Sequence, residues 1–387
     1  MRIFPIVLAA FVSISFSESV NACDQAWLQN LDSAIRRSDM AATQSLAKSG
    51  EARNCQDELL KNIIPLTDSF DLQRAEVIVS SLIEGGFKVN TPDTGGKTAL
   101  YWLIDSAKYP KRIDKYIELF GRLGADPNST NYNPIALLTE CNMNYFESEV
   151  RTSATRALFT IGLNPELALD VLHGQGCIKD EDLGVWQQVL NKKVNINKNN
   201  GEILRRAVVN LQWVNDSSTI EKVLAAMFAI RANPNLVNPK TGENSLHFFV
   251  TNLVCGAYTE PRLDKNIAII GELLIEAKSD ATNTDNNGET VLMKLAYAHC
   301  KPELTFMERF VTQLVAAGAD PNAKDSSGMT ALMKAASHGS LSVVKSLVEV
   351  HALVNLKDNN GNTALDYVYY NEDIRKALVD AGAVSGH

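Results

Sequence analysis

The sequence lacks the patterns that mark common catalytic and metal sites. Its six histidines are spread along the chain, and it has no H-x-x-x-H, C-x-x-C or G-x-S-x-G motif and no phosphate-binding glycine loop. His299 stands beside Cys300, and His173 precedes Cys177, but neither pair has the ligand count of a structural zinc site. We therefore expect a protein that is not an enzyme and that holds no cofactor or metal. An enzyme with a site of unfamiliar design is the alternative.

Positive charge is also in short supply. Lysine and arginine number 37 against 45 aspartates and glutamates, a net charge of −8. Such a chain lacks the basic surface that phosphate contacts require, so we expect no nucleic-acid partner. After residue 22 there is no apolar run long enough to predict a transmembrane segment. Hydrophobic residues make up 45% of the chain, enough to build a large or long stacked core.

The N-terminus has the pattern of an export signal. Arg2 is followed by a largely apolar run over residues 3–16, which is too short for a stable membrane anchor. Val20 and Ala22 have the small-residue spacing that signal peptidase accepts before Cys23. We interpret the first 22 residues as a signal peptide and expect a periplasmic protein. Two alternatives stay open, namely a lipid anchor on Cys23 and secretion from a eukaryotic cell.

The cysteine count supports export. There are six cysteines: Cys23, Cys55, Cys141, Cys177, Cys255 and Cys300. An even number in an exported chain is typical of complete pairing into disulfides, here three. A lipid on Cys23 would leave one thiol without a partner. The alternative interpretation is that some of these cysteines are buried, unpaired thiols.

The C-terminal sequence repeats itself. The string "DSSGMTALMKAASHGSLSVVKSLVEVHALVNLK" begins at residue 325, and "DNNGNTALDYVYYNEDIRKALVDAGA" begins at residue 358. Gly328 and Gly361 take equivalent places, 33 residues apart, and suit a turn with positive φ. Thr330 and Thr363 follow at the place of a helix cap.

These strings resemble ankyrin repeats, with a D-x-x-G turn, a T-A-L helix opening and a later G-A-D-x-N. The resemblance is strongest over residues 94–130 and 285–383. It implies an all-α fold, a solenoid of about ten helix-pair units with short hairpin turns. Residues 23–387 would then form one continuous domain.

Apolar periodicity supports the same architecture. Each second helix carries an apolar stripe at i, i+1, i+4 and i+5, as in Val343, Val344, Leu347 and Val348. Such a stripe is buried only when neighbouring units stack. The first helices open with a leucine at Leu100, Leu137, Leu169, Leu204, Leu246, Leu292, Leu332 and Leu365. Two further units are expected before these.

Three successive units carry insertions, those opening at Leu204, Leu246 and Leu292. The extra residues should lengthen the first helix or the turn after it. Insertions confined to one location in a repeat protein often form a binding surface. The alternative is drift in a tolerant surface loop.

Neighbouring units also bring cysteines to comparable places. The resemblance therefore implies three disulfides: Cys23–Cys55, Cys141–Cys177 and Cys255–Cys300. Each bridge requires its two Cα atoms to lie about 4.4–6.8 Å apart.

The resemblance implies a protein-binding scaffold. We expect the residue two positions after each opening leucine to face the partner, although packing between helices would also account for it. These residues are Trp102, Thr139, Val171, Arg206, Phe248, Lys294, Lys334 and Tyr367. Trp102, Arg206, Phe248 and Tyr367 are of the types enriched at interface hot spots.

The partner class is a hypothesis of its own. An exported acidic solenoid is similar in architecture to immunity proteins that cap bacterial toxins, such as lipase effectors. The alternative within the envelope is a structural or oxidative-stress accessory protein.

Overall fold

The hairpin turns take the backbone conformation that their glycines predict. The computed structural model describes residues 22–107, 110–129, 132–139, 147–174, 179–253, 261–297 and 306–387. Gly328 has φ 76° and Gly361 has φ 88°, values that residues other than glycine rarely adopt. The hairpin around Gly328 is closed by the Asp325 amide, which donates to the Met329 carbonyl at 3.0 Å.

The regular structure between these hairpins is helical. The first helices along the chain are α1 (Gln25–Arg36), α2 (Met40–Ala47), α3 (Gln56–Glu58), α4 (Leu72–Glu84), α5 (Ala99–Asp105), α6 (Ile113–Arg122), α7 (Pro134–Thr139), α8 (Ser148–Thr160), α9 (Pro165–Gly174) and α10 (Leu183–Leu190). They are followed by α11 (Lys198–Asn210), α12 (Ser217–Ala229), α13 (Ser245–Thr251), α14 (Pro261–Glu276), α15 (Val291–Ala296), α16 (Phe306–Ala316), α17 (Ala331–His338), α18 (Leu341–Glu349) and α19 (Glu372–Asp380). Two stretches complete the pattern, a π and 3-10 continuation of α3 to Ser69 and a 3-10 turn at Ala364–Tyr367.

The helices stack in two layers. The second-helix layer runs through α2, α4, α6, α8, α10, α12, α14, α16, α18 and α19, and each member packs against the next. The first-helix layer contains α1, the segment Gln56–Ser69, α5, α7, α9, α11, α13, α15, α17 and the turn Ala364–Tyr367, and from Gln56 onward its neighbours also touch. This arrangement confirms the predicted all-α solenoid, and the described residues contain ten stacked units where about ten were expected. Across the described ranges the only strand-like pairing is an isolated bridge between Thr284 and Thr290.

The apolar stripes form the core between units. Val343, Val344 and Leu347 have no exposed surface, and Val348 packs against the buried cluster. Burying a leucine or valine side chain contributes about 1.5–3 kcal/mol, so each stripe stabilises the contact between two units. At the start of α17, Thr330 Oγ accepts from the Met333 amide at 3.4 Å, as predicted for a cap. The Thr363 hydroxyl instead donates to the Val384 carbonyl at 2.7 Å.

Asparagines link the hairpins of successive units. The side-chain oxygens of Asn90, Asn128, Asn197, Asn235, Asn322 and Asn355 each accept a backbone N–H from the following unit, at 2.6–2.8 Å. Asn355 is typical: it accepts from Val384 and donates to the Gly382 carbonyl at 3.0 Å. The asparagine of the G-A-D-x-N motif therefore has a structural role, because its side-chain oxygen accepts a backbone N–H of the following unit. In Asn90, Asn128, Asn197, Asn235 and Asn355 the side-chain nitrogen also donates to a backbone carbonyl.

The insertions lie mainly after the first helix. Helices α13 and α15 are 7 and 6 residues long, so the extra residues have not lengthened them. In the unit of α13 part of the addition extends the second helix, since α14 reaches 16 residues. In the unit of α11 a 3-10 turn, Leu211–Trp213, occupies the connection. Most of the predicted insertions in the units of α13 and α15 fall on residues 254–260 and 298–305, which lie outside the described residues.

The predicted signal peptide lies outside the described residues, apart from Ala22. Among the residues that are described, none of the helices combines the length and apolar character needed to cross a membrane.

Candidate protein-binding face

An aspartate in the hairpin and a side chain on the first helix are joined in four units. The aspartate comes first in the D-x-x-G turn, and its partner stands nine residues later. The pairs are Asp93 with Trp102 Nε1 (3.1 Å), Asp285 with Lys294 Nζ (2.7 Å), Asp325 with Lys334 Nζ (2.7 Å) and Asp358 with the Tyr367 hydroxyl. These partners are residues that the sequence predicts to face a binding protein. They hold the hairpin against the helix.

The hairpin aspartate also organises the turn itself. Asp325 Oδ1 accepts from the Ser327 and Met329 amides at 2.8 and 2.9 Å, while Oδ2 meets Lys334. One carboxylate thus closes the turn and anchors it to α17. An ionised acceptor makes stronger hydrogen bonds than a neutral one, which suits a turn that must be positioned accurately on the helix.

Lys334 does not occupy the exposed place expected of it. The residue is only 3% exposed, and its ammonium also donates to Glu289 Oε1 at 2.7 Å and to the Tyr297 hydroxyl at 2.6 Å. Burial lowers the pKa of Lys334, but the hydrogen bonds that its ammonium donates to Asp325, Glu289 and Tyr297 outweigh this effect and hold the pKa above its ordinary value. Because these partners surround the charge, Lys334 serves the contact between units rather than a free surface.

Lys294 is committed to the same network. Its ammonium lies 2.7 Å from Asp285 and 2.6 Å from Glu289, and the side chain is mostly covered. Burial alone would raise the pKa of Glu289, yet its hydrogen bonds with Lys294 and Lys334 lower it. Glu289 therefore joins the ammonium groups of two successive units. We call Asp285, Glu289, Lys294, Asp325 and Lys334 the inter-unit charge network.

The other predicted residues differ in exposure. Trp102 and Tyr367 are half-buried beside their aspartates, and Phe248 is half-buried in a unit whose hairpin has Asn238 instead of an aspartate. Arg206 is exposed and pairs with Glu202 at 2.8 Å. Thr139 is buried at 1% exposure and does not face outward. The side chain of Val171 lies outside the described residues.

Four exposed aromatic residues escaped the sequence analysis. Trp213, Tyr369 and Tyr370 are 54%, 66% and 98% exposed, and each lies between the first and second helix of its unit. Tyr132, 45% exposed, lies in the hairpin before α7. These aromatic residues stand just outside the apolar pattern of the helices, which is the feature of the sequence that could have identified them as exposed. The sequence-based prediction considered only positions within the first helices and therefore missed them. Tyrosine and tryptophan are common interface anchors.

One pair of cysteines is joined within the described residues. Cys23 and Cys55 form a disulfide with a Cα–Cα distance of 4.6 Å and a sequence separation of 32. The proposed pairs Cys141–Cys177 and Cys255–Cys300 lie outside the described residues. Over the described ranges no group of three or more His, Cys, Asp or Glu side chains is placed to hold a metal.

Comparison with known proteins identifies one family. The family model described as ankyrin repeats, in three copies, matches residues 303–385. These residues include Asp325 and Lys334 of the inter-unit charge network, helix α16 and the last two units of the stack. No curated protein matched the chain.

Proposed function

Since residues 303–385 match the family model of ankyrin repeats, we propose that the protein is a scaffold that binds another protein along its first-helix layer and the adjoining connections. Ankyrin repeats indicate protein–protein interaction. The observation that carries the proposal is the exposure of Tyr132, Trp213, Tyr369 and Tyr370 along the stack. Large aromatic side chains anchor protein interfaces because they bury much apolar area at little conformational cost.

The finer proposal is an exported scaffold that acts as an immunity protein against a secreted bacterial toxin such as a lipase effector. The apolar N-terminal run, the acidic charge and the bridge between Cys23 and Cys55 support export to an oxidising compartment. A stack of ten units offers an extended surface that could cover the mouth of an active site. The insertions after α13 and α15 would add specificity for one toxin.

The deciding experiment removes the gene and competes the strain against its parent. Under the immunity proposal the mutant is killed on contact, and the purified protein captures the product of a neighbouring gene. Normal survival together with failed capture would leave only a general scaffold, such as a structural or oxidative-stress accessory protein. Cell fractionation and the mass of the peptide that contains Cys23 test export and lipid attachment separately.

Variants then locate the interface. Replacing Tyr369 and Tyr370 together by alanine should weaken capture by about 1–4 kcal/mol if they are hot spots. Val379→Ala is the control, because Val379 is also an exposed apolar residue of the last unit but lies on α19, in the second-helix layer. An unchanged affinity in the double variant would exclude this end of the stack as the contact.

A further inference from the structure

Three aromatic rings and one ammonium form a cluster where the units of α5 and α7 meet. Lys97 Nζ lies 4.4 Å from the Tyr101 ring centroid and 4.9 Å from that of Trp102. The Tyr101 ring meets Trp102 and Tyr132 edge to face, with centroids 5.9 and 5.6 Å apart. Rings arranged this way present electron-rich faces to a cation.

Local backbone geometry makes the cluster. Gly96 has φ 83°, a conformation that favours glycine, and a Cβ there would lie 3.3 Å from the Tyr132 ring, so the ring packs closely on the hairpin backbone. Asp93 accepts from the Gly95 and Lys97 amides and from the Trp102 indole at 2.8–3.1 Å. The hairpin and the indole are therefore held in fixed relation before anything binds.

Other units place their cation differently. In the units of α15 and α17 the lysine lies nine residues after the hairpin aspartate and is buried against carboxylates, as in Lys334. In the unit of α5 that position is Trp102, and the lysine is Lys97, four residues after Asp93. Within the described residues no carboxylate lies within ion-pair distance of Lys97. Its ammonium lies over the Tyr101 and Trp102 rings, and a hydrogen bond with Tyr101, together with the more distant charges of Asp105 and Asp93, raises the pKa of Lys97. Tyr101 is only 9% exposed, whereas Tyr132 is 45% exposed.

We propose that Tyr101, Trp102 and Tyr132 form an anchor site for an arginine side chain of the protein partner, and that Lys97 occupies this site until the partner displaces it. The inference rests on the proposed scaffold function and specifies the chemistry of its partner, a basic segment. A net charge of −8 attracts such a segment over a distance. A planar guanidinium stacks on aromatic faces better than an ammonium does, so arginine can replace lysine at this place.

The test uses small probes and the full chain labelled with ¹⁵N-tryptophan. The chain has four tryptophans, and Trp102→Phe assigns the indole signal of interest. N-acetyl-arginine amide should shift the Trp102 indole signal saturably. N-acetyl-citrulline amide, which is nearly the same shape but uncharged, should bind about two- to fivefold more weakly, the ratio expected for a cation–π contact at an exposed site. Equal responses to the two probes, or a response confined to another indole, would overturn the site.

Variants test the displacement. Lys97→Gln should tighten binding of the arginine probe by about two- to fivefold because the competing cation is gone. Tyr132→Leu should weaken it by a similar factor. Lys240→Gln changes an exposed lysine in another hairpin and should leave binding unchanged. If the Lys97→Gln variant binds the arginine probe no more tightly than the parent protein does, Lys97 does not compete with the probe for the site, and that part of the proposal is wrong.

The outcome is separable from that of the scaffold proposal. If the protein captures no partner, the scaffold proposal fails, and the titration with the arginine probe still tests the anchor site. A captured partner with no response to arginine at Trp102 overturns the anchor site alone. If Trp102→Phe or Tyr132→Leu abolishes capture of the partner and Lys240→Gln does not, the arginine site is part of the surface by which the scaffold binds its partner.

Discussion

Lys334 Nζ lies 2.7 Å from Asp325 Oδ2, nine residues earlier in the chain, and fastens the hairpin to helix α17. The same ammonium reaches Glu289 of the preceding unit at 2.7 Å. A position that a repeat alignment places on the binding face is thus used for contact within and between units.

Removing the Lys334 charge should destabilise the C-terminal units. Lys334→Met leaves the buried Asp325 carboxylate without its counter-ion and Glu289 with Lys294 as its one remaining lysine partner, and breaking a buried pair in this way costs about 3–5 kcal/mol. Arg206→Met removes an exposed ion pair and should cost about 0–1 kcal/mol. Urea denaturation followed by circular dichroism compares the two. Similar losses in both variants would mean that the inter-unit charge network adds no stability.

Breaking the Cys23–Cys55 bridge should lower stability at the N-terminal end. For a sequence separation of 32, the chain-entropy model gives about 3–4 kcal/mol. The oxidised parent should therefore unfold at higher urea than the variant in which both cysteines are serine. Reductant should bring the parent close to the variant, and any effect of reductant on the variant itself reports the other four cysteines. Identical midpoints for oxidised parent and variant would contradict the prediction.

Acid should weaken the stack as the network carboxylates are protonated. Burial raises the pKa values of Asp285 and Glu289, but hydrogen bonds from lysine ammoniums and backbone amides outweigh it and lower both. The unfolded chain then binds protons more readily than the folded one, with pKa values of about 3.9–4.3. The stabilisation is therefore complete above this range and lost as the pH falls through the lower, folded pKa values. Urea midpoints from pH 6 to pH 2.5 should show the decline, and Glu289→Gln should reduce its slope.

His247 should add a separate loss at milder acidity. The side chain is fully buried between Asn244 Oδ1 at 3.1 Å and the Glu289 carbonyl at 3.2 Å. Burial lowers its pKa below the ordinary value, so the neutral ring is the folded form. Its stabilisation is present above about pH 6.5, the unfolded pKa, and declines below it. His247→Gln should flatten the stability profile between about pH 6.5 and pH 5, whereas a parallel profile would show that His247 does not titrate there.

Cutting one asparagine link should loosen the last hairpin contact. Asn355→Ala removes the acceptor for the Val384 amide and the donor to the Gly382 carbonyl. Each hydrogen bond contributes about 0.5–1.5 kcal/mol, so exchange of the Val384 amide should become about tenfold faster. Asn360→Ala, at an exposed hairpin position, is the control. Equal exchange rates in the two variants would show that the link is dispensable.

The repeat architecture could be predicted from local patterns. Gly328 and Gly361 mark turns that need positive φ, and the stripe around Val343 and Val344 recurs once per unit because every unit must bury the same face. These features depend on residues within a few turns of one another, so their spacing along the chain predicts the all-α solenoid. The hairpin aspartates can also be recognised in the sequence, but the sequence does not show that each one binds a side chain of the following helix.

The sequence by itself therefore determined the all-α repeat architecture, the turn glycines and the approximate number of units. Only the tertiary structure decided which side chains remain at the surface. Lys334 is buried because Glu289, 45 residues away, reaches it from the preceding unit. Trp213 and Tyr370 stay exposed because they stand just beyond the packed helix faces. The physical reason is that burial depends on which units become neighbours in space, and a periodic pattern cannot encode how one unit's side chains meet those of the next.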